Sequence, residues 1–267
     1  MDRLQARGFL PRTAVLYGIF GNVTALRAVA EDARGQGVRR FVCMGDSVAA
    51  GPDPVACLQW VVDNCAWWMH GFWDRCLADP SGTQWSSKRY QNEAVLWSRE
   101  QVLAAPGGEE LIKRVNAGKT AVTEDDVLYV YGSVRDPMHA YLQVGWGHDW
   151  QAAEYAALPG GVSLCIGGRM ASPCICRADG SEDAPAPAVR HNRQDLPKPL
   201  IVVGGAVSAG SLSRDGDPRA SYIVLDNDGL EFRRVEYDVE KVVAEVQALK
   251  ALSQPCRDLM MMKIRHS

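Results

Sequence analysis

Strand and helix alternate through the first quarter of the chain with connections only a few residues long, and this limits the fold more than any other feature. Residues 13–17 (TAVLY) form a short apolar strand and residues 18–22 (GIFGN) a turn. A helix follows with Val23, Leu26, Val29, Ala30 and Ala33 at helical spacing, until Gly35 and Gly37 stop it. Residues 39–44 (RRFVCM) give a second strand and 45–51 a glycine-bounded loop. Asp53 is placed to cap a helix that has Pro54 at its first position and runs to about residue 64. Residues 66–70 read as a third strand. Helices that short loops insert between successive strands imply parallel pairing in an α/β sheet. Ligands of such sheets gather at the loops leaving the carboxyl ends of the strands.

The middle of the chain is helical, with helices predicted at 90–103 and 108–115. Strands resume at 120–122, 127–131, 162–166 and 173–177. Residues 178–199 hold four prolines among Gly, Ser and Asp and are expected to be a long exposed loop. Strands at 200–203 and 220–225 lead to a hairpin around Asn227-Asp228-Gly229, a return strand at 230–237 and a helix at 239–252. There is no internal repeat, and residues 1–267 read as one domain. The chain has 47% hydrophobic and 23% charged residues, an ordinary globular balance. A net charge of −3 argues against nucleic acid or an anionic membrane as the main partner. No apolar run approaches the roughly 18 residues of a membrane span, and the first residues lack a signal-peptide core. A cytoplasmic protein is the expectation. Most of the eight cysteines, at 43, 57, 65, 76, 165, 174, 176 and 256, sit in apolar runs and read as reduced, buried residues. A zinc site built from Cys165, Cys174 and Cys176 would want a fourth donor.

At the strand-end loops the sequence resembles the calcineurin-like metallophosphoesterases, in particular their small bacterial phosphodiesterase branch. Residues 21–58 (GNVTALRAVAEDARGQGVRRFVCMGDSVAAGPDPVACL), 131–142 (YGSVRDPMHAYL) and 214–226 (RDGDPRASYIVLD) carry the resemblance, which runs nearly end to end. It implies a four-layer α/β/β/α sandwich of two mixed β-sheets flanked by helices. It also implies two divalent metals that activate water against a phosphoester, held by hard carboxylate, amide and imidazole ligands. Those ligands are almost all missing. The family's first loop, Asp-x-His-Gly-Asn, reads Gly18-Ile19-Phe20-Gly21-Asn22. The second, Gly-Asp, stands as Gly45-Asp46. The third, Gly-Asn-His-Asp, reads Gly71-Phe72-Trp73-Asp74, and Tyr131 stands where the fourth loop has histidine. The fifth, Gly-His-Thr-His, reads Gly167-Gly168-Arg169-Met170. Asp46 is the one family ligand retained, so neither a metal nor another cofactor is expected.

The replacements are bulky: Phe20, Phe72, Trp73, Tyr131 and Met170 are expected to fill the volume left by metals and water. The former pocket then comprises Gly18, Phe20, Asn22, Asp46, Phe72, Trp73, Asp74, Tyr131, Gly168, Arg169 and Met170, and no catalytic residue is assigned. The leading expectation is a catalytically inactive fold kept as a structural or protein-interaction subunit, through a protein partner or self-association. Five of the eight tryptophans fall between 60 and 85, and Trp67, Trp68 and Trp85 are candidate contacts. One alternative is a binding module for a small anionic ligand such as a nucleotide or phosphate ester, with Arg169 as the anion contact. The other is a residual or rewired phosphodiesterase.

Overall fold

The structure is a computed structural model and describes residues 10–81, 89–140, 142, 148–169, 172–208 and 216–265, the side chain of His148 excepted. The amino-terminal alternation is present: β1 (Thr13–Leu16), α1 (Val23–Gly35), β2 (Arg40–Cys43), α2 (Pro54–Asn64), β3 (Cys65–Trp68). Asn22 caps α1, its Oδ1 accepting from the amide of Ala25 at 2.9 Å, and Pro54 opens α2. Then come α3 (Phe72–Ala78), α4 (Arg89–Ala104), α5 (Gly108–Asn116), β4 (Ala121–Glu124), β5 (Val127–Val130), α6 (His148–Ala156), β6 (Leu164–Gly167) and β7 (Pro173–Cys176). The chain closes with β8 (Glu182–Asp183), β9 (Arg190–Asn192), β10 (Leu200–Gly204), β11 (Ala220–Leu225), β12 (Gly229–Val235), α7 (Val239–Ala248) and α8 (Gln254–Arg265).

The strands form two six-stranded sheets, ordered β3-β2-β1-β11-β12-β9 and β4-β5-β6-β10-β7-β8. Both are mixed: β1, β2 and β3 run parallel while β11 pairs antiparallel to β1, and β5, β6 and β10 run parallel while β4 and β7 pair antiparallel. Alternation along each strand sorts the side chains into layers. Val15 and Tyr17, Val42 and Met44, Tyr129 and Tyr131, Ile166 and Val202 meet in the apolar layer between the sheets. Ala14, Leu16, Phe41 and Cys43 face the other way, onto α1 and α2. On the far sheet Leu128, Val130, Cys165, Cys174 and Cys176 pack with Trp150 and Tyr155 of α6. The molecule is therefore the expected α/β/β/α sandwich. Across one edge, Arg40 of the first sheet grips Glu124 of the second through two hydrogen bonds of 2.9 and 2.5 Å, and Trp67 Nε1 donates to the same carboxylate at 2.9 Å.

The segment 178–199 departs from a plain loop. Its side chains are mostly exposed, but β8 and β9 within it add an edge strand to each sheet. Two- and three-residue pairings at a sheet edge are too short to carry a period. Helices α3, α6 and α8 were not anticipated either. In α8 the signal was available, because Cys256, Met260 and Ile264 are buried at a spacing of four. All eight cysteines are free and buried. Cys174 and Cys176 have sulfurs 3.7 Å apart, but Cys165 lies on β6, and β10 separates that strand from β7.

Candidate functional site

Five connections converge at the carboxyl ends of β1, β2, β3, β5 and β6. The first two are laced by backbone hydrogen bonds: Gly18 donates to Gly45 (3.0 Å), Phe20 to Asp46 (2.9 Å) and Gly21 to Ser47 (2.8 Å). Phe20 (φ 50°), Asp46 (φ 56°) and Arg169 (φ 61°) all adopt left-handed backbone, rare for residues with a side chain and found where a fold holds a site in fixed geometry. Gly45, itself at φ 95°, leaves room for the third connection: a Cβ there would stand 2.7 Å from the amide nitrogen of Gly71.

Asp46 lies at the centre and is buried. Its Oδ2 accepts from the hydroxyls of Tyr131 (2.8 Å) and Tyr17 (3.2 Å), and its Oδ1 accepts from the amide of Trp73 (3.1 Å). Tyr131 in turn accepts from the amide of Phe72 at 2.8 Å, which fixes its hydroxyl proton toward Asp46. Burial and the charge of Asp46 push both tyrosines well above their ordinary pKa, so they stay protonated donors. Burial raises the pKa of Asp46 as well, opposed by the Trp73 amide, the Tyr131 hydroxyl and the positive charge of Arg169.

Asp74 does not face a ligand. One oxygen accepts from the amides of Asp46 (2.8 Å) and Gly71 (2.9 Å), the other from Ser47 (2.9 Å), so this side chain closes the start of α3 onto the second connection. Burial, then the charge of Asp46, carries its pKa up to about 7. Arg169 is 9% exposed. Its guanidinium lies 5.7 Å from the ring centres of both Phe72 and Tyr131, and its Nη1 donates to the carbonyls of Met138 (3.1 Å) and His139.

The other pocket residues fall around this centre. Phe20 packs edge-on to Tyr17 at 6.2 Å, and Phe72 edge-on to Trp73 at 4.9 Å. Phe20 and Phe72 join the apolar layer between the sheets, while the Trp73 ring packs with the cluster of Leu58, Val62 and Leu77 on the helical side. Asn22 is committed to α1 and to Ser208 Oγ, at 3.1 Å. Gly168 packs its bare backbone on Tyr131, whose carbonyl oxygen would stand 2.7 Å from a Cβ at this position. Met170 lies outside the described residues, as does Trp85. Trp67 and Trp68 point to opposite faces of β3, and both faces are covered: Trp67 stacks edge-on to Tyr129 at 5.0 Å, and Trp68 Nε1 donates to the carbonyls of Val115 and Arg114. Each is half-buried.

Tyr17 was missed by sequence reasoning. The signal was alternation: Val15 faces inward, so Tyr17 does too, directly at the mouth of the first connection. The carbonyls of Met138 and His139 carried no sequence signal.

This donor set does not fit a pair of divalent metals. Gly18 and Phe20 offer no donor atom, Asp46 has both oxygens engaged, and Asp74 spends its carboxylate on amides. Among the described residues, no three His, Cys, Asp or Glu side chains are grouped to hold a metal ion. His70 Nδ1 is turned onto the Gly118 carbonyl at 2.5 Å, and His139 is exposed beside Asp136. Burial pushes the Cys43 thiol, near Ser47, up to about 12, so it is not a ready nucleophile.

No family model matches the chain. It is 24% identical over 243 residues, 87% of this chain and 90% of the other, to uncharacterized protein MJ0912 of Methanocaldococcus jannaschii. Among solved structures it is similar to a metallophosphoesterase from Sphaerobacter thermophilus, with a TM-score of 0.76, 23% identity, and coverage of 94% of this chain and 98% of that one. It is also similar to hypothetical protein PH1004 from Pyrococcus horikoshii OT3, with a TM-score of 0.69, 15% identity and the same coverage. These likenesses establish the metallophosphoesterase fold.

Proposed function

We propose that this chain uses the metallophosphoesterase fold without metals, does not hydrolyse phosphoesters, and serves in the cytoplasm as a structural or protein-interaction subunit. The observation that carries the reading is the state of Asp46. A carboxylate that is to bridge two metals needs free lone pairs directed at them and further hard donors beside it. Here both oxygens are turned to two tyrosine hydroxyls and a backbone amide, and Gly18 and Phe20 beside it carry no donor side chain. Aromatic rings fill the space around it, as close packing of an interior demands. A pocket for a small anion has less support, because Arg169 is buried against carbonyl groups and rings and Asp74 is bound to three amides. The interaction role draws support from α4, where Tyr90, Leu96 and Leu103 are three of the five exposed large apolar side chains among the described residues; Leu96 and Leu103, seven apart, share a face.

The test is hydrolysis of bis(p-nitrophenyl) phosphate by purified protein with added Mn2+, alongside Asp46→Asn. The reading expects no turnover above buffer in either protein. Metal-dependent turnover that Asp46→Asn abolishes would overturn it.

A further inference from the structure

The site has lost metal ligands yet keeps a buried carboxylate at its centre, and an uncompensated buried charge is costly. Among the described residues, Arg169 is the cation brought to that point. Arg169 follows β6 on a left-handed residue, turns inward, and lays its guanidinium on the rings of Phe72 and Tyr131, 5.7 Å from each centre. Tyr131 carries its hydroxyl to Asp46, so the ring under the guanidinium is the one that touches the carboxylate. Phe72, the other ring, donates its amide to that same hydroxyl. The carbonyls of Met138 and His139, farther along the connection that Tyr131 begins, hold Nη1. A solvated surface arginine would show neither this burial nor these four partners on two other connections.

We propose that Arg169 is the resident cation of the closed site: it compensates Asp46 in place of metal ions and pins the connections after β3, β5 and β6 to one another. The inference rests on the metal-free reading above and adds the residue that makes it workable. It also accounts for a left-handed backbone at a residue that is not glycine, a strained conformation that persists where the surroundings enforce it. Lysine would keep the charge but lose the flat group that lies on two rings and bonds two carbonyls.

The test is a double-mutant cycle read as thermal midpoints at pH 8, with Arg169→Gln, Asp46→Asn and the double variant, each with and without 1 mM Mn2+. Arg169→Gln is expected to lower the midpoint by at least about 5 °C. Asp46→Asn in that background is expected to return half or more of the loss, since the charge needing compensation is gone. Arg169→Lys should fall between wild type and Arg169→Gln. Additive losses, or an Arg169→Gln protein as stable as wild type, would overturn the proposal. If Arg169→Gln cannot be recovered folded, the double variant decides: folding regained supports the inference and folding still lost contradicts it. A wild-type midpoint raised by Mn2+ would instead defeat the metal-free reading on which the inference stands.

Discussion

Tyr131 holds two hydrogen bonds that phenylalanine cannot, donating to Asp46 Oδ2 and accepting from the Phe72 amide. Removing its hydroxyl strands a part-buried N–H and takes the shorter of two hydroxyl bonds from a buried carboxylate. Leaving such a group unpaired costs about 1–3 kcal/mol. Tyr17 makes a single, longer bond to the same oxygen, at 3.2 Å. Tyr131→Phe should therefore lower unfolding free energy by about 2–4 kcal/mol, and Tyr17→Phe by about 1 kcal/mol, both measured by urea denaturation. Equal losses, or a larger one at Tyr17, would show that the phenols do not share Asp46 in this way. Of the two, the sequence exposed Tyr131 as a replaced histidine, whereas Tyr17 was visible only through strand parity.

At the scale of elements, α3 is where sequence and structure part most instructively. Residues 72–78 show too few turns for a helical period, yet Asp74 nucleates a helix by reaching back to the Gly71 amide while also binding Asp46 and Ser47. That arrangement makes the start of α3 pH-sensitive. Burial and the charge of Asp46 raise the pKa of Asp74 to about 7, against an ordinary carboxyl near 4 in the unfolded chain. The folded state binds the proton more tightly, so this contribution is fully present below about pH 4 and is lost as pH rises toward 7. His70, whose burial lowers its pKa, pulls in the opposite sense. The readout is therefore the comparison with Asp46→Asn, which leaves His70 untouched. Between pH 5 and 8 the wild-type midpoint should fall more steeply than that of Asp46→Asn; parallel curves would contradict the coupling. The longer elements were legible: α1 buries the apolar positions that spacing picked out, and α2 and α5 stand where the sequence places them. The edge strands β8 and β9 and the inward turn of Arg169 were not, since pairing partners and carbonyl contacts far along the chain decide them.

Taken whole, the molecule keeps the two-sheet scaffold of a metallophosphoesterase while its strand-end loops are closed by phenols, rings and a guanidinium. Gly45 and Gly71 let the loops approach one another as closely as bare backbone permits. No helix among the described residues is long and apolar enough to cross a membrane. The central claim is that this scaffold folds around no metal. The measurement that addresses it most directly is metal content per chain by elemental mass spectrometry, after incubation with manganese, zinc and iron and then desalting. The account predicts far less than one ion per chain. One or two tightly held ions per chain would contradict it and would require ligands from beyond Asp46 and its phenol partners.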